Sequence, residues 1–295
     1  MIDDADSVVA TDRRPTPRGA DHLIETVADL AAALLDGLGA EYASAGVGLP
    51  GSITKSGVLT SSPHLPGVTN FDAAGALSTA LGLPVKVTND ASCAALAEWR
   101  LGAGRGVDDM IMITLGTGIG GGVISEGRLL FGANGYVGEF GHMMIDPQGP
   151  SCPCGQIGCW ERYASGSAVA LEAKRIAAEG RLQSLVAEAG SIDEIRSEQV
   201  VAAAAAGDPD AIEVLDHFAF WMSAGLANLT NAFDPSRFVI GGGLSAAAPV
   251  FEPLLRKHVA TRVYASNLRA QPDIRFAELG EQAGAIGAAL YGQQA

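Results

Sequence analysis

No run of apolar residues in this chain reaches the length of a membrane span without a glycine or a charge. The first residues, Met1-Ile2-Asp3-Asp4, are acidic where a secretory signal is basic. A cytoplasmic protein with no membrane partner is expected. Basic residues are scarce too: 19 Lys and Arg stand against 33 Asp and Glu, a net charge of -14, and that field repels phosphate backbones. Nucleic acid is therefore not an expected partner. Cysteine is rarer still, with four in 295 residues. In a reducing compartment clustered thiols read as metal ligands rather than disulfides. No fixed-period repeat is present, and the one biased tract, Val200 to Ala206, reads as an alanine-rich helix.

What the chain does have is apolar material, 48% of its residues, enough to bury one large or two modest cores. Leu23, Val27, Leu30, Leu34 and Leu35 recur at helical spacing and predict a helix over 21–38. A strand over 45–48 follows, ending in the loop Leu49-Pro50-Gly51-Ser52. Next come a helix over 71–81, a strand over 85–88, the pair Asn89-Asp90 and a helix over 91–100. This alternation is that of an α/β domain. The glycine-rich stretch Gly102 to Gly106 marks a boundary between a domain at 1–105 and another at 106–280. The second begins with a strand over 110–114, a glycine turn and a strand-turn segment from Val123 to Leu130. A long helix over 209–233, a strand over 237–240 and Gly241-Gly242-Gly243 follow. A small-residue helix over 281–290 closes the chain, and the C-terminal residues 281–295 are placed with the first domain.

The cysteines form the spacing H-x9-C-x-C-x4-C through His142, Cys152, Cys154 and Cys159. Four such ligands complete a tetrahedral zinc ion and leave no position for water or substrate, so a structural zinc is expected, against the alternative of a loop with incidental thiols. Glu139 and Glu161 flank the loop. On a rigid loop they are acceptors for a polyhydroxylated ligand; otherwise they are solvated glutamates. The fourth cysteine, Cys93, reads as a small core residue.

The run Ile113 to Gly122 contains Gly116-Thr117-Gly118, where backbone amides can approach an anion. It is neither a Walker loop nor a dinucleotide fingerprint. It reads as a phosphate-gripping hairpin or as a structural tight turn. Gly241-Gly242-Gly243 likewise allows a ligand close or simply joins strand to helix. Asp90, between a strand end and a helix start, is either an N-cap or a general base that takes a hydroxyl proton during phosphoryl transfer, with Asn89 offering donor and acceptor beside it. His22, His217 and His258 read as surface or capping residues.

Together, Gly48-Leu49-Pro50-Gly51, Asn89-Asp90, Leu115 to Gly122, Gly138-Glu139-Phe140-Gly141-His142 and the C-x-C-G-x-x-G-C-W-E segment from Cys152 to Glu161 resemble the ROK family of sugar kinases, repressors and open reading frames, most closely its bacterial glucokinases. The resemblance implies an α/β, actin-like (ribonuclease H-like) two-domain sugar kinase fold with a structural zinc loop, the sugar and nucleotide lying between the domains. It implies ATP-dependent phosphorylation of a hexose, D-glucose first, with Asp90 as base and Gly51, Asn89, Glu139, His142 and Glu161 at the sugar. His142 would serve both zinc and a sugar hydroxyl. Thr117 and Gly118 would meet ATP phosphates, Gly241 to Gly243 would lie near the nucleoside, and Mg2+ would accompany the ATP. A homodimer or homotetramer is also implied.

The chain departs from that pattern in two places. The family's first strand and D-x-G-G-T-K turn are missing, and Ile2 to Thr11 reads as the tail of that hairpin with Asp3 to Ser7 as its turn. A start codon assigned too late is the favoured account, against a truncated product or a degenerate sugar binder. The second departure, His64-Leu65-Pro66-Gly67, places histidine where many relatives carry asparagine. The competing functions are an N-acylhexosamine, mannose or fructose kinase, and a catalytically impaired sugar-binding or regulatory protein. A repressor of this family would need a helix-turn-helix before Asp21, and none is readable there.

Overall fold

The computed structural model describes residues 1–38, 43–62 and 65–294. His64 lies outside the described residues. The chain divides into two compact units: 1–108, 121–138 and 278–295 form the first, and 109–120 and 139–277 the second.

In the first unit, β1 (Ala45–Leu49) pairs in parallel with β5 (Val85–Asn89), in register from Ala45 opposite Val85 to Leu49 opposite Asn89. Three short antiparallel strands follow β1: β2 (Ser52–Ile53), β3 (Val58–Ser61) and β4 (Phe71–Asp72). β4 takes the first two residues of the helix expected over 71–81. The reason is Asp72, whose carboxylate accepts from Gly75 N at 2.9 Å and caps α2 (Ala73–Leu81), which ends at Gly82 in the left-handed region. α1 (Ala20–Leu38) lays Leu23, Ile24 and Val27 against a core of Leu49, Ile53, Leu59, Leu77 and Val87. At the start of the chain Ile2 bridges Val8, and Asp3 Oδ1 closes the turn by accepting from Ala5 N and Ser7 N.

α3 (Asp90–Leu101) and α10 (Ala283–Gln293) pack backbone against backbone. A Cβ on Gly287 would fall 1.7 Å from Cys93 O, and one on Gly46 of β1 would fall 1.8 Å from Ala288 O. The small residues of α10 are therefore a packing requirement, because side chains would hold these elements apart. Residues 121–138 return to this unit, a crossing that a single boundary near 105 does not express. Gly122 is the reason: its Cβ would lie 2.6 Å from Ala95 Cβ of α3.

The second unit is built on three parallel strands, β6 (Met110–Leu115), β9 (Arg237–Gly241) and β10 (Asp273–Phe276), with β9 in the middle. Every residue of β9 is buried, as the apolar run of a strand covered on both faces requires. Between β6 and β9 the chain forms α4 (Glu161–Ala164), α5 (Gly166–Ala178), α6 (Gln183–Ala189), α7 (Ser197–Ala205) and α8 (Pro209–Phe233); α9 (Ala248–Val259) follows β9. α8 spans the residues expected of it. Asp208 caps it, Pro209 opens it, and Phe218, Met222, Leu226 and Leu229 form its buried stripe. β7 (Ile119–Ser125) turns at Glu126-Gly127 into β8 (Arg128–Leu129), and the division between units falls inside β7. No helix of the described residues is long and apolar enough to cross a membrane.

Candidate functional site

In the first unit the structure brings Gly51, Asn89 and Asp90 together. Asn89, the last residue of β5, is the N-cap of α3: its Oδ1 accepts from Ala91 N at 2.8 Å and Ser92 N at 3.2 Å. Its Nδ2 donates to Gly51 O at 3.1 Å. Gly51 has φ +119°, and a Cβ there would lie 2.3 Å from Ser61 O, so only glycine suits that turn. Of the two sequence readings of Asp90, the cap is taken by its neighbour. Asp90 is the first residue of α3 and is exposed; Oδ1 accepts only from the adjacent Ala91 N at 2.9 Å, and Oδ2 has no partner among the described residues. A carboxylate there faces the positive end of the helix dipole. One turn on, Cys93 is fully buried, and burial, then the Asp90 charge, push its thiol up to about 12. It stays protonated and inert, in keeping with a core residue.

In the second unit, Gly116-Thr117-Gly118 leads out of β6. Gly116 N donates to Gly118 O at 3.0 Å, and Gly116 O accepts from Gly166 N at the start of α5 at 2.9 Å. A Cβ on Gly118 would lie 2.5 Å from Glu161 Oε2, so the glycine turn and Glu161 are immediate neighbours. Gly242, with φ +86°, stands against the end of β6, where its Cβ would meet Leu115 O at 2.4 Å. Thr117, Gly242 and Gly243 are exposed, whereas Gly241 is buried against Met112 and Ala277.

The cysteine loop joins the same neighbourhood. Glu139 leads into a 3₁₀ turn at Phe140–His142. His142 Nδ1 lies 3.9 Å from Cys152 Sγ and 3.7 Å from Glu161 Oε1, while its Nε2 lies 3.9 Å from Glu139 Oε2. One ring nitrogen thus faces the thiols and the other faces Glu139. Cys154 and Cys159 stand 3.6 Å apart, and Cys152 Sγ donates to Glu161 Oε1 at 3.2 Å. The backbone holds this shape through Trp160 N to Met143 O at 2.8 Å and Ile145 N to Gly158 O at 2.9 Å. Trp160 anchors the loop: it is fully buried, and its indole N–H donates to Trp221 O at 2.9 Å. Its ring lies so close to Gly225 of α8 that a Cβ there would sit 2.0 Å away.

The donor set fits zinc. Four Cys and His donor atoms lie within 4.8 Å of one another. Zinc–sulfur bonds of about 2.3 Å at tetrahedral angles separate two sulfurs by about 3.8 Å, close to the spacing of Cys154 and Cys159. Burial pushes Cys152 up to about 12, aided by its bond to Glu161 and opposed by a backbone amide of Cys154. Burial and the bond to Cys154 likewise raise Cys159. For Cys154, burial is outweighed by the Gln156 amide and the two neighbouring thiols, which lower it. A divalent cation bound here would ionise all three thiols, because thiolate and not thiol is the ligand.

Tyr163, Asp146 and Glu98 brace the backbone around these groups and are not among the site residues read from the sequence. Tyr163 OH donates to Asp146 Oδ2 at 2.7 Å, closing the cysteine loop onto α4. Glu98 of α3 is fully buried and accepts from Ala103 N, Glu278 N and Leu279 N. A carboxylate amid Ala94-Ala95-Leu96-Ala97 is the only hint of that role in the sequence.

The comparisons with known proteins agree with one another. The ROK family pattern matches residues 1–295. A glucokinase of Streptomyces coelicolor is 36% identical over 295 residues, covering 98% of this chain and 92% of that protein. An N-acetylmannosamine kinase of Citrobacter koseri is 33% identical over 291 residues, with 98% and 92% covered. The crystal structure of a ROK family glucokinase from Streptomyces griseus, in complex with glucose and AMPPNP, superposes with a TM-score of 0.86 at 35% identity, covering all of this chain and 95% of that one. The α/β architecture is accordingly the actin-like fold of that structure, and the chain belongs to the ROK family.

Proposed function

We propose that this protein transfers the γ-phosphoryl group of ATP to a hexose, D-glucose at its 6-hydroxyl. The likeness to glucokinases supports the reaction class, and the observation that carries the reading is the division of labour at β5–α3. Asn89 satisfies the helix N-terminus, so the exposed Asp90 carboxylate keeps an oxygen without a partner among the described residues. Asp90 accepts the hydroxyl proton as the sugar oxygen attacks the γ-phosphorus; the new O–P bond forms as the bond to the ADP oxygen breaks. Gly51 and the Asn89 amide hold the sugar beside it. Glu139, Glu161 and His142 Nε2 are its partners in the second unit. Amides at Thr117 and Gly118 meet the phosphates, and Gly241 to Gly243 lie toward the nucleoside. Magnesium on the ATP would neutralise charge on the phosphates. Zinc on His142, Cys152, Cys154 and Cys159 would fix the loop that carries Glu139 and Glu161. We place the enzyme in the cytoplasm as a homodimer or homotetramer.

A second reading, supported by the likeness to an N-acetylmannosamine kinase, keeps this machinery and changes only the sugar. The test is ADP release with ATP, magnesium and a panel of hexoses, with Asp90→Asn as control. Glucose-dependent turnover lost in the control is the expected result. Faster turnover with N-acetylmannosamine, mannose or fructose selects the second reading, and no turnover with any sugar overturns both in favour of a sugar binder.

A further inference from the structure

The second unit contains a cavity of about 510 Å³ lined by none of the residues assigned above to sugar, ATP or zinc. That volume is ordinary for a small-molecule site, about 300–1,000 Å³. Pro150 of the cysteine loop, Arg162 and Tyr163 of α4, Leu171 and Lys174 of α5, and Ile192 form its walls. We infer that this cavity binds a small phosphate monoester through Arg162 and Lys174.

Arg162 is the first argument. Its Nε is buried and has no hydrogen-bond partner among the described residues, a condition that folded proteins seldom leave unexplained. Among the described residues no carboxylate lies within ion-pair distance of Arg162 or Lys174; the Lys174 ammonium donates to the backbone oxygen of Asp193 at 2.6 Å. The third cation of the cavity, Arg175, is already neutralised. Glu172 accepts from its Nε at 3.0 Å and its Nη2 at 2.8 Å, and Glu179 takes Nη1. The Glu172 charge is thus engaged; Arg162 and Lys174, against the one further carboxylate of the lining, Asp193, remain without an ion pair among the described residues, in a chain whose net charge is -14.

The chemistry of the occupant follows. A guanidinium fork matches a phosphate, and a nearby ammonium adds a second point charge. Two separate cations suit a dianion better than a monovalent carboxylate. Tyr163, Leu171 and Ile192 offer an apolar wall to a carbon skeleton.

The experiment is calorimetric titration of the full-length chain with glucose 6-phosphate, with glucose and a non-hydrolysable ATP analogue present to fill the proposed catalytic site. Inorganic phosphate forms the second arm. One equivalent of glucose 6-phosphate should bind, weakened about tenfold or more in both Arg162→Met and Lys174→Met and unchanged in Asp90→Asn. Inorganic phosphate should bind more weakly than the ester. Lys174 reaches solvent on α5, so its variant keeps the test intact if Arg162→Met fails to fold. Absence of binding to the wild-type chain, equal affinity for inorganic phosphate, or affinity unmoved in Lys174→Met overturns the assignment. None of these outcomes depends on whether the chain phosphorylates a hexose.

Discussion

The Tyr163 hydroxyl donates to Asp146 Oδ2 at 2.7 Å, and with the Cys152–Glu161 bond it ties the cysteine loop to the short helix that opens with Glu161. That hydroxyl, then the Gln148 amide, hold the Asp146 carboxyl below its ordinary value of 3.8. A depressed carboxylate contributes stability that is complete above its ordinary value and disappears as the pH falls through the folded-state value. Tyr163→Phe should therefore lower the melting temperature at neutral pH, with the gap to wild type closing below the usual carboxylate range. On the alkaline side, burial and then Asp146 push Tyr163 up to about 12. That contribution is full below the ordinary tyrosine value of 10 and fades as the pH rises to about 12. Melting curves across pH check both limbs, and a gap that stays constant toward acid would contradict the account.

Asp90 and Asn89 should separate cleanly on substitution. Asp90→Asn leaves the cap in place, so stability should change by no more than about 0.5 kcal/mol while kcat falls about 10²–10⁴-fold. Asn89→Ala removes the cap and the bond to Gly51 O, and should cost about 0.5–2 kcal/mol of stability. Chemical denaturation alongside steady-state kinetics measures both. Equal destabilisation by the two variants would mean that Asp90 shares the capping role.

Adjacent Asn89 and Asp90 show where the sequence is legible and where it stops. Either residue type is a good N-cap, and only the backbone at Asn89, extended at φ -67° and ψ 145°, decides which one caps. α8 was legible to the residue because Asp208-Pro209 marks its start and 25 periodic residues leave no other solution. α4 and α6 were not, since four and seven residues are too few to show a helical period. The Cys3His cluster was legible because its donors are close in sequence. The seat of Trp160 on Gly225 was not, because nothing local to either residue announces the other.

Zinc should be a stoichiometric component. Cys154→Ser removes the exposed donor of the set and should lower zinc affinity by more than the about 10–100-fold typical of losing an outer-shell partner. Because His142 and Glu161 border the same cluster, hexose affinity and melting temperature should fall together. Metal analysis, melting and sugar titration test this on one preparation. Full hexose affinity in chelator-treated, zinc-free protein would refute it.

Gly225 and Gly243 form a matched pair for packing. A methyl at Gly225 would lie 2.0 Å from the buried Trp160 ring, whereas one at Gly243 meets nothing within 4 Å among the described residues. Gly225→Ala should cost about 1–3 kcal/mol by overpacking. Its displaced tryptophan should also show in the fluorescence spectrum. Gly243→Ala should melt like wild type, and equal melting temperatures for the two variants would remove Trp160 as the anchor of the loop.

Glu98 carries the last prediction, because α3 depends on it at the end remote from Asp90. Its two oxygens accept three backbone amides: Ala103 N at 2.9 Å, Glu278 N at 3.1 Å and Leu279 N at 2.8 Å. The side chain is fully buried, so Glu98→Ala leaves those donors facing a hole. Each unpaired buried amide costs about 1–3 kcal/mol, and partial entry of water into the cavity limits the total to about 3–5 kcal/mol. Glu98→Gln retains one carbonyl oxygen, which can still serve the Ala103 and Glu278 amides, but turns an N–H₂ toward Leu279 N. Its loss should therefore fall between wild type and Glu98→Ala. Hydrogen exchange locates the effect: faster exchange at Ala103, Glu278 and Leu279 in Glu98→Ala is expected. Unchanged protection there would show that the segment leading into α10 is held by its helix packing alone.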